Sequence, residues 1–275
     1  MRSTRLIGRN QNAEAVKVFT FLLLAAAALG ADFAPIVEVD TQFLFGATEN
    51  GKPVLAEKAV KRLRGDETFR LYSLTAALGE AKAGKPESAG EPCPDVFVVP
   101  LTPKPPDGVI AIGGQWNALP RVPKAVGTKQ PVYVAAVKAF LESRGLRNPA
   151  VKIEQILRID LDGDGEEEVL ISATNYFSKD GRVPNASSAD SYSCVIERRV
   201  VKGEVRTRLI EGEFYPKAKT FNAPSRYQVA AVLDVDGDGA MEVIVASNYY
   251  EGGATTIYRC GAGKIIELLS VACGA

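Results

Sequence analysis

Three regimes of hydrophobic and polar spacing divide the chain. In "PVYVAAVKAFLESRGL" the apolar residues recur three to four apart, so Val132, Ala136, Val137, Phe140 and Leu141 share one face of a predicted helix. Pro131 suits its first turn and Gly145 its stop. From Val151 onward the pattern becomes strand-like, broken by turns at "DGDG", "VVKGEV", a second "DGDG" and "CGAGK". Before the helix the text is less regular. "TQFLFGATENGKPVLA" sets Asn50-Gly51 between two apolar runs, which predicts a hairpin. "AEKAVKRLRG" reads as a short helix ended by Gly65, and "ETFRLYSLTAAL" as a strand. Residues 84–131 are so dense in Pro and Gly that an extended loop is expected, with one strand near "DVFVVP". The expected class is mainly β with some α (α+β). A loop-rich α+β portion covers residues 31–130, and a helix followed by β units covers 131–275.

The first thirty residues stand apart. Arg2, Arg5, Arg9 and Lys17 precede "VFTFLLLAAAALG", an apolar run ending in small residues. That order is the order of a secretory signal, and the run is shorter than the roughly 20 residues a membrane-spanning helix needs. Cleavage after Gly30 is the preferred reading, which makes the mature chain exported, periplasmic or extracellular, with no membrane insertion. A retained N-terminal anchor is the alternative. In that setting Cys93, Cys194, Cys260 and Cys273 favour two disulfides in any of three pairings, with buried thiols as the alternative.

Charge and composition narrow the function classes. With 33 basic and 33 acidic residues, the chain gives no electrostatic reason to bind nucleic acid. The absence of histidine removes histidine-based triads, the common histidine zinc sites and the usual general base near neutral pH. An enzyme would have to work with carboxylates, lysine, tyrosine or a metal.

Against that background one motif occurs twice. "RIDLDGDGEEEVLI" and "VLDVDGDGAMEVIV" align without a gap. Asp160, Asp162, Asp164 and Glu168 match Asp234, Asp236, Asp238 and Glu242 at positions 1, 3, 5 and 9, with glycine at positions 4 and 6. Calcium takes six to eight oxygens at about 2.3–2.6 Å, and alternate residues of a tight loop can point carboxylates inward. Glycine at position 6 permits the turn. Position 7 is free to vary, Glu166 against Ala240, as it would be if its backbone carbonyl were the ligand. An EF-hand needs an acidic residue at position 12, and Ile171 and Val245 stand there inside β-branched runs. The start "IDLDG" also fits an aspartate-nucleophile phosphatase or the D-x-D site of a glycosyltransferase, but repetition of the whole pattern speaks against both. Solvated acidic turns without metal are the remaining alternative.

Strand, D-x-D-G-D-G-x-x-E, strand, repeated, resembles the FG-GAP/VCBS-type repeats of integrin α-subunit propellers and bacterial secreted proteins, over roughly residues 150–273. The resemblance implies two Ca²⁺ sites, held by Asp160, Asp162, Asp164, Glu166 (carbonyl) and Glu168, and by Asp234, Asp236, Asp238, Ala240 (carbonyl) and Glu242. Glutamate at position 9 departs from the aspartate of many members. The chain is too short for a seven-bladed ring, so two tandem blade-like antiparallel units packed on the N-terminal portion are expected. Beyond the loops, "NYFS" at 175 echoes "NYYEGG" at 248, and "YSCVI" at 192 echoes "YRCGA" at 258. The longer insertion "SKDGRVPNASSAD" reads as an exposed hairpin tip. Asn175, Tyr176, Asn248 and Tyr249 could form a ligand surface, although packing between strands is the commoner role, and Trp116 is expected to cap the core. The functional expectation is an exported, non-catalytic calcium-binding protein with a protein or glycan ligand, an envelope or adhesion scaffold. A secreted metal-assisted hydrolase, or a subunit of one, is the alternative.

Overall fold

The computed structural model describes residues 33–176 and 183–274; the expected signal segment and the start of the long insertion lie outside them. Among the described residues eighteen strands form three sheets in which every pairing is antiparallel. The first contains β1 (Ala34–Glu38), β2 (Phe43–Glu49), β3 (Lys52–Leu55), β4 (Thr68–Tyr72), β5 (Ala77–Ala83), β6 (Glu87–Ser88), β7 (Phe97–Val98), β8 (Leu101–Thr102) and β9 (Ile110–Ile112). Helix α1 (Ala56–Ala59) follows β3. The second sheet contains β10 (Lys124–Ala125), β11 (Ile153–Ile159), β12 (Glu168–Thr174), β13 (Ser191–Val201) and β14 (Glu204–Tyr215). Helix α2 (Pro131–Ser143) precedes β11. The third contains β15 (Arg226–Leu233), β16 (Glu242–Tyr249), β17 (Gly252–Cys260) and β18 (Ile265–Gly274). The protein is thus mainly β, with two short α-helices among the described residues and no closed propeller. No helix among those residues is long and apolar enough to cross a membrane.

Strands β11 to β14 and β15 to β18 are two successive up-and-down meanders, each strand pairing with the next in sequence. The N-terminal sheet is ordered differently, β6-β7-β2-β1-β9-β4-β5-β8, with β3 on β2. Its centre is β9, which lies between β1 and β4 inside the segment expected to be an extended loop. Only three residues long and fenced by Pro and Gly, β9 has too short an apolar run to be separated from its surroundings by periodicity. The Asn50-Gly51 hairpin forms as expected: both residues have positive φ, 51° and 73°, and Glu49 pairs with Lys52. The helix expected over "AEKAVKRLRG" is one α-turn followed by a 3-10 turn that ends at Arg62, before Gly65. In α2 the buried face runs through Val137, Phe140 and Leu141, with Tyr133 packed beside them; Val132, expected inside, projects from the first turn into solvent.

One core joins all three sheets. Ile36, Phe45 and Ile112 meet Leu157, Leu170 and Val195 of the second sheet and Val229, Ile244 and Ile257 of the third. Strand β15 crosses β12 and β13, and Gln155 Nε2 donates to the carbonyl of Val229 while Ser172 and Ser193 hydroxyls accept the N–H groups of Val229 and Tyr227. A second apolar cluster lies on the opposite face of the N-terminal sheet, and a third under α2. One disulfide forms, Cys93–Cys273, with Cα atoms 5.8 Å apart, tying the β6–β7 turn to the last strand. The expected second disulfide does not form: Cys194 and Cys260 are buried thiols in different clusters, Cys194 under α2 and Cys260 in the central core.

Candidate metal centre

Residues 160–167 join β11 to β12, and residues 234–241 join β15 to β16, so the repeated motif occupies the first turn of each meander and ends on the first residue of the next strand. The same four hydrogen bonds build both loops. Asp160 accepts the N–H of Gly163 at 2.7 Å and of Gly165 at 3.1 Å, and Asp234 accepts those of Gly237 at 2.6 Å and Gly239 at 3.1 Å. All four glycines have φ between 76° and 93°, the left-handed region that a side chain would strain. Position 9 closes the loop from the far side: Glu168 accepts the N–H of Leu161 at 2.9 Å, and Glu242 that of Val235 at 3.1 Å. At position 5, Asp164 and Asp238 accept the N–H groups of Glu166 and Ala240, both at 2.8 Å.

This scaffold brings positions 1, 3 and 9 together. One oxygen from each of Asp160, Asp162 and Glu168 lies within 4.8 Å of the others, and the same holds for Asp234, Asp236 and Glu242. Asp164 and Asp238 stand outside these groups, each with one oxygen bonded to the turn, and Glu166 and Ala240 follow two residues on. Position 8 differs because its surroundings differ. Glu167 faces Lys124 at 2.8 Å and Arg158 at 2.7 Å, whereas Met241 is buried and its N–H donates to the carbonyl of Leu161, joining one loop to the other.

Each loop also holds an arginine that the motif does not contain. Arg199 of β13 and Arg259 of β17 follow Arg198 and Tyr258, which pair with Val169 and Val243, so each arginine stands across from its position 9 glutamate. Arg199 Nη2 donates to Asp162 at 2.7 Å and Glu168 at 2.6 Å. Arg259 Nε donates to Glu242 at 2.8 Å and its Nη2 to Asp236. This register also corrects both sequence echoes. Tyr258 stands where Arg198 does, so "YSCVI" and "YRCGA" are not equivalent; Asn248, across from Gly253, matches Thr174, across from Ser193, and not Asn175. Strand pairing was the signal that could reveal the arginines, because it alone fixes which distant residue lies opposite a loop.

The N-terminal sheet covers the second loop more than the first. Trp116, packed on the core as expected, donates its indole N–H to the carbonyl of Asp234 at 2.8 Å, and Thr48 Oγ1 donates to that of Val235 at 2.9 Å. A Cβ on Gly51 would lie 3.7 Å from Asp236 Oδ2, so the β2–β3 turn sits over this loop. Arg121 spans both loops, donating to the carbonyls of Asp160 and Gly239 at 2.6 and 2.7 Å. Asp234, Asp236 and Glu242 are consequently all buried, while Asp162 and Asp164 are exposed. Burial pushes the Glu242 carboxyl up to about 8, with Asp236 adding to the rise and Arg259 opposing it. Asp234 is raised for the same first reason, and Glu168 likewise. The four motif carboxylates of each loop, at positions 1, 3, 5 and 9, outnumber its one guanidinium, and a further positive charge there would favour their ionised forms.

The four residues considered as a ligand surface separate. Asn175 closes the base of the β12–β13 connection, accepting from the Tyr192 N–H and donating to the Asp190 carbonyl, and Tyr176 is buried. Tyr249 and the Cys93–Cys273 disulfide line a cavity of about 550 Å³ with Asp95 and Ser247, and Asn248 lines a neighbouring one of about 210 Å³. Comparison of the chain with protein-family models, curated proteins and solved structures finds no match in any of the three.

Proposed function

We propose that this is an exported, non-catalytic protein whose two loops are divalent-cation sites of the calcium type, serving a binding or scaffold role. One observation carries the reading: two loops that share the same four internal hydrogen bonds each converge three carboxylates on a point beside a packed sheet. An all-oxygen, acid-rich donor set suits a hard cation such as calcium, and a charge of two offsets much of what the single arginine leaves. Asp160, Asp162 and Glu168 would hold one ion and Asp234, Asp236 and Glu242 the other, with the carbonyls of Glu166 and Ala240 and the carboxylates of Asp164 and Asp238 completing the shells by analogy with FG-GAP/VCBS repeats. When bound, the ion supplies charge compensation and rigidity. The disulfide supports an oxidising compartment.

The test is a melting curve with calcium and with chelator. At calcium one hundred times above its dissociation constant, one site adds about 2.7 kcal/mol. Extracellular modules of this kind bind at about 10⁻⁴–10⁻³ M, so the full shift requires roughly 10–100 mM calcium. Asp236→Ala should reduce the shift; an unchanged melting curve in the parent protein would sink the cation reading.

A further inference from the structure

The two arginines occupy equivalent places and differ in what surrounds them. Arg199 is enclosed, its side chain 3% exposed. Besides Asp162 and Glu168, it donates to the Cys260 carbonyl at 3.1 Å, and Glu197 lies 3.8 Å away. Moving this guanidinium would strip a donor from the third sheet and carry a charge away from three carboxylates, two of them buried. Arg259 is 28% exposed, and its ion pairs are confined to its own loop: Asp236, Asp238 at 3.8 Å and Glu242 at 2.8 Å. Rotation of its long side chain brings the charge into solvent without leaving a carboxylate elsewhere uncompensated.

The acids show the complementary asymmetry. Position 5 is exposed and position 9 buried in both loops, but Asp160 is half-buried and Asp162 faces water, which screens it, whereas Asp234 and Asp236 are both buried. The second loop therefore has the greater need for a divalent charge and the more easily displaced occupant. In both loops a guanidinium seated on the position 3 and position 9 oxygens shows that this point accommodates a cation.

We propose that the two loops have divided their roles. The first is closed permanently by Arg199 as an internal counter-cation. The second is the exchangeable divalent-cation site, with Arg259 as the competitor that a metal displaces. This rests on the calcium-type reading above and restricts it to one ion per chain.

Stoichiometry and location decide it. Calcium bound per chain is counted by equilibrium dialysis titrated to saturation, and terbium luminescence excited through Trp116, the single tryptophan, reports the second loop through the Asp234 carbonyl. One ion per chain is expected, lost in Asp236→Asn together with the terbium signal and retained in Asp162→Asn. Arg259→Gln should raise cation affinity, on the order of tenfold, by removing the competing charge. Two ions per chain, or loss in Asp162→Asn with retention in Asp236→Asn, would overturn the division of roles and leave the calcium-type reading standing. An affinity that falls in a folded Arg259→Gln would overturn the role of Arg259 as competitor. No ion bound to the parent protein would remove both. The parent stoichiometry and the two aspartate variants decide the division even where Arg259→Gln fails to fold.

Discussion

Glu197 has no exposed surface, yet it carries an acidic group into the seam between the second and third sheets. Arg208 Nε donates to it at 2.7 Å and Arg199 Nη1 approaches to 3.8 Å; burial, the leading cause, nonetheless raises its carboxyl above the usual range, with both arginines opposing. Such a pair contributes little net stability while intact, but breaking it leaves a buried charge. Arg208→Ala should therefore lower the free energy of unfolding by about 3 kcal/mol, read from urea titration. Replacing both partners together, Glu197→Leu with Arg208→Met, should recover most of that loss, because no uncompensated charge remains. A double variant as unstable as the single one would assign the cost to packing instead of charge.

At the level of strands, β14 faces β17 and β18 through Glu211, whose carboxyl is raised first by burial and then by Glu267 and Glu213, with a hydrogen bond from Tyr258 opposing. A folded value above the unfolded one means that stability present below the unfolded value, about 4.3, is lost as pH rises through the folded value. Glu211→Gln should flatten this decline, gaining about 1 kcal/mol over the parent at pH 8 and almost nothing at pH 4. Thermal melts across that range check it; a gain independent of pH would point to another cause. Strands and turns were also where the sequence was most and least readable. The Asn50-Gly51 turn, α2 and both acidic loops are local patterns, each complete within a dozen or so residues, and they lie where periodicity and spacing put them. The arginines at 199 and 259 could not be read, because their placement depends on strand register: Arg199 follows a long insertion between β12 and β13, and Arg259 a two-residue turn between β16 and β17, so no common spacing from the motif marks them. Similar letters around Tyr192 and Tyr258 even suggested the wrong correspondence, and only the ladder register resolved it. The central strand β9 escaped for a different reason: burial on a sheet between two neighbours fixes it, not its own three residues.

For the molecule as a whole, the Cys93–Cys273 bond spans 180 residues. A loop that long restricts the unfolded chain by about 5 kcal/mol in the chain-entropy account. Reduction under native conditions should lower the melting temperature by roughly 10 °C or more, and a Cys93→Ser, Cys273→Ser variant should match the reduced protein. Cys194, by contrast, should resist alkylation until the fold opens, since burial raises its thiol to about 12. The same bond also makes a covalent ring of most of the polypeptide, one that takes in both acidic loops. A protease cut at any single peptide bond between residues 93 and 273 therefore releases nothing: the two pieces stay on one molecule, and the cleavage would register as separate bands only on a reducing gel.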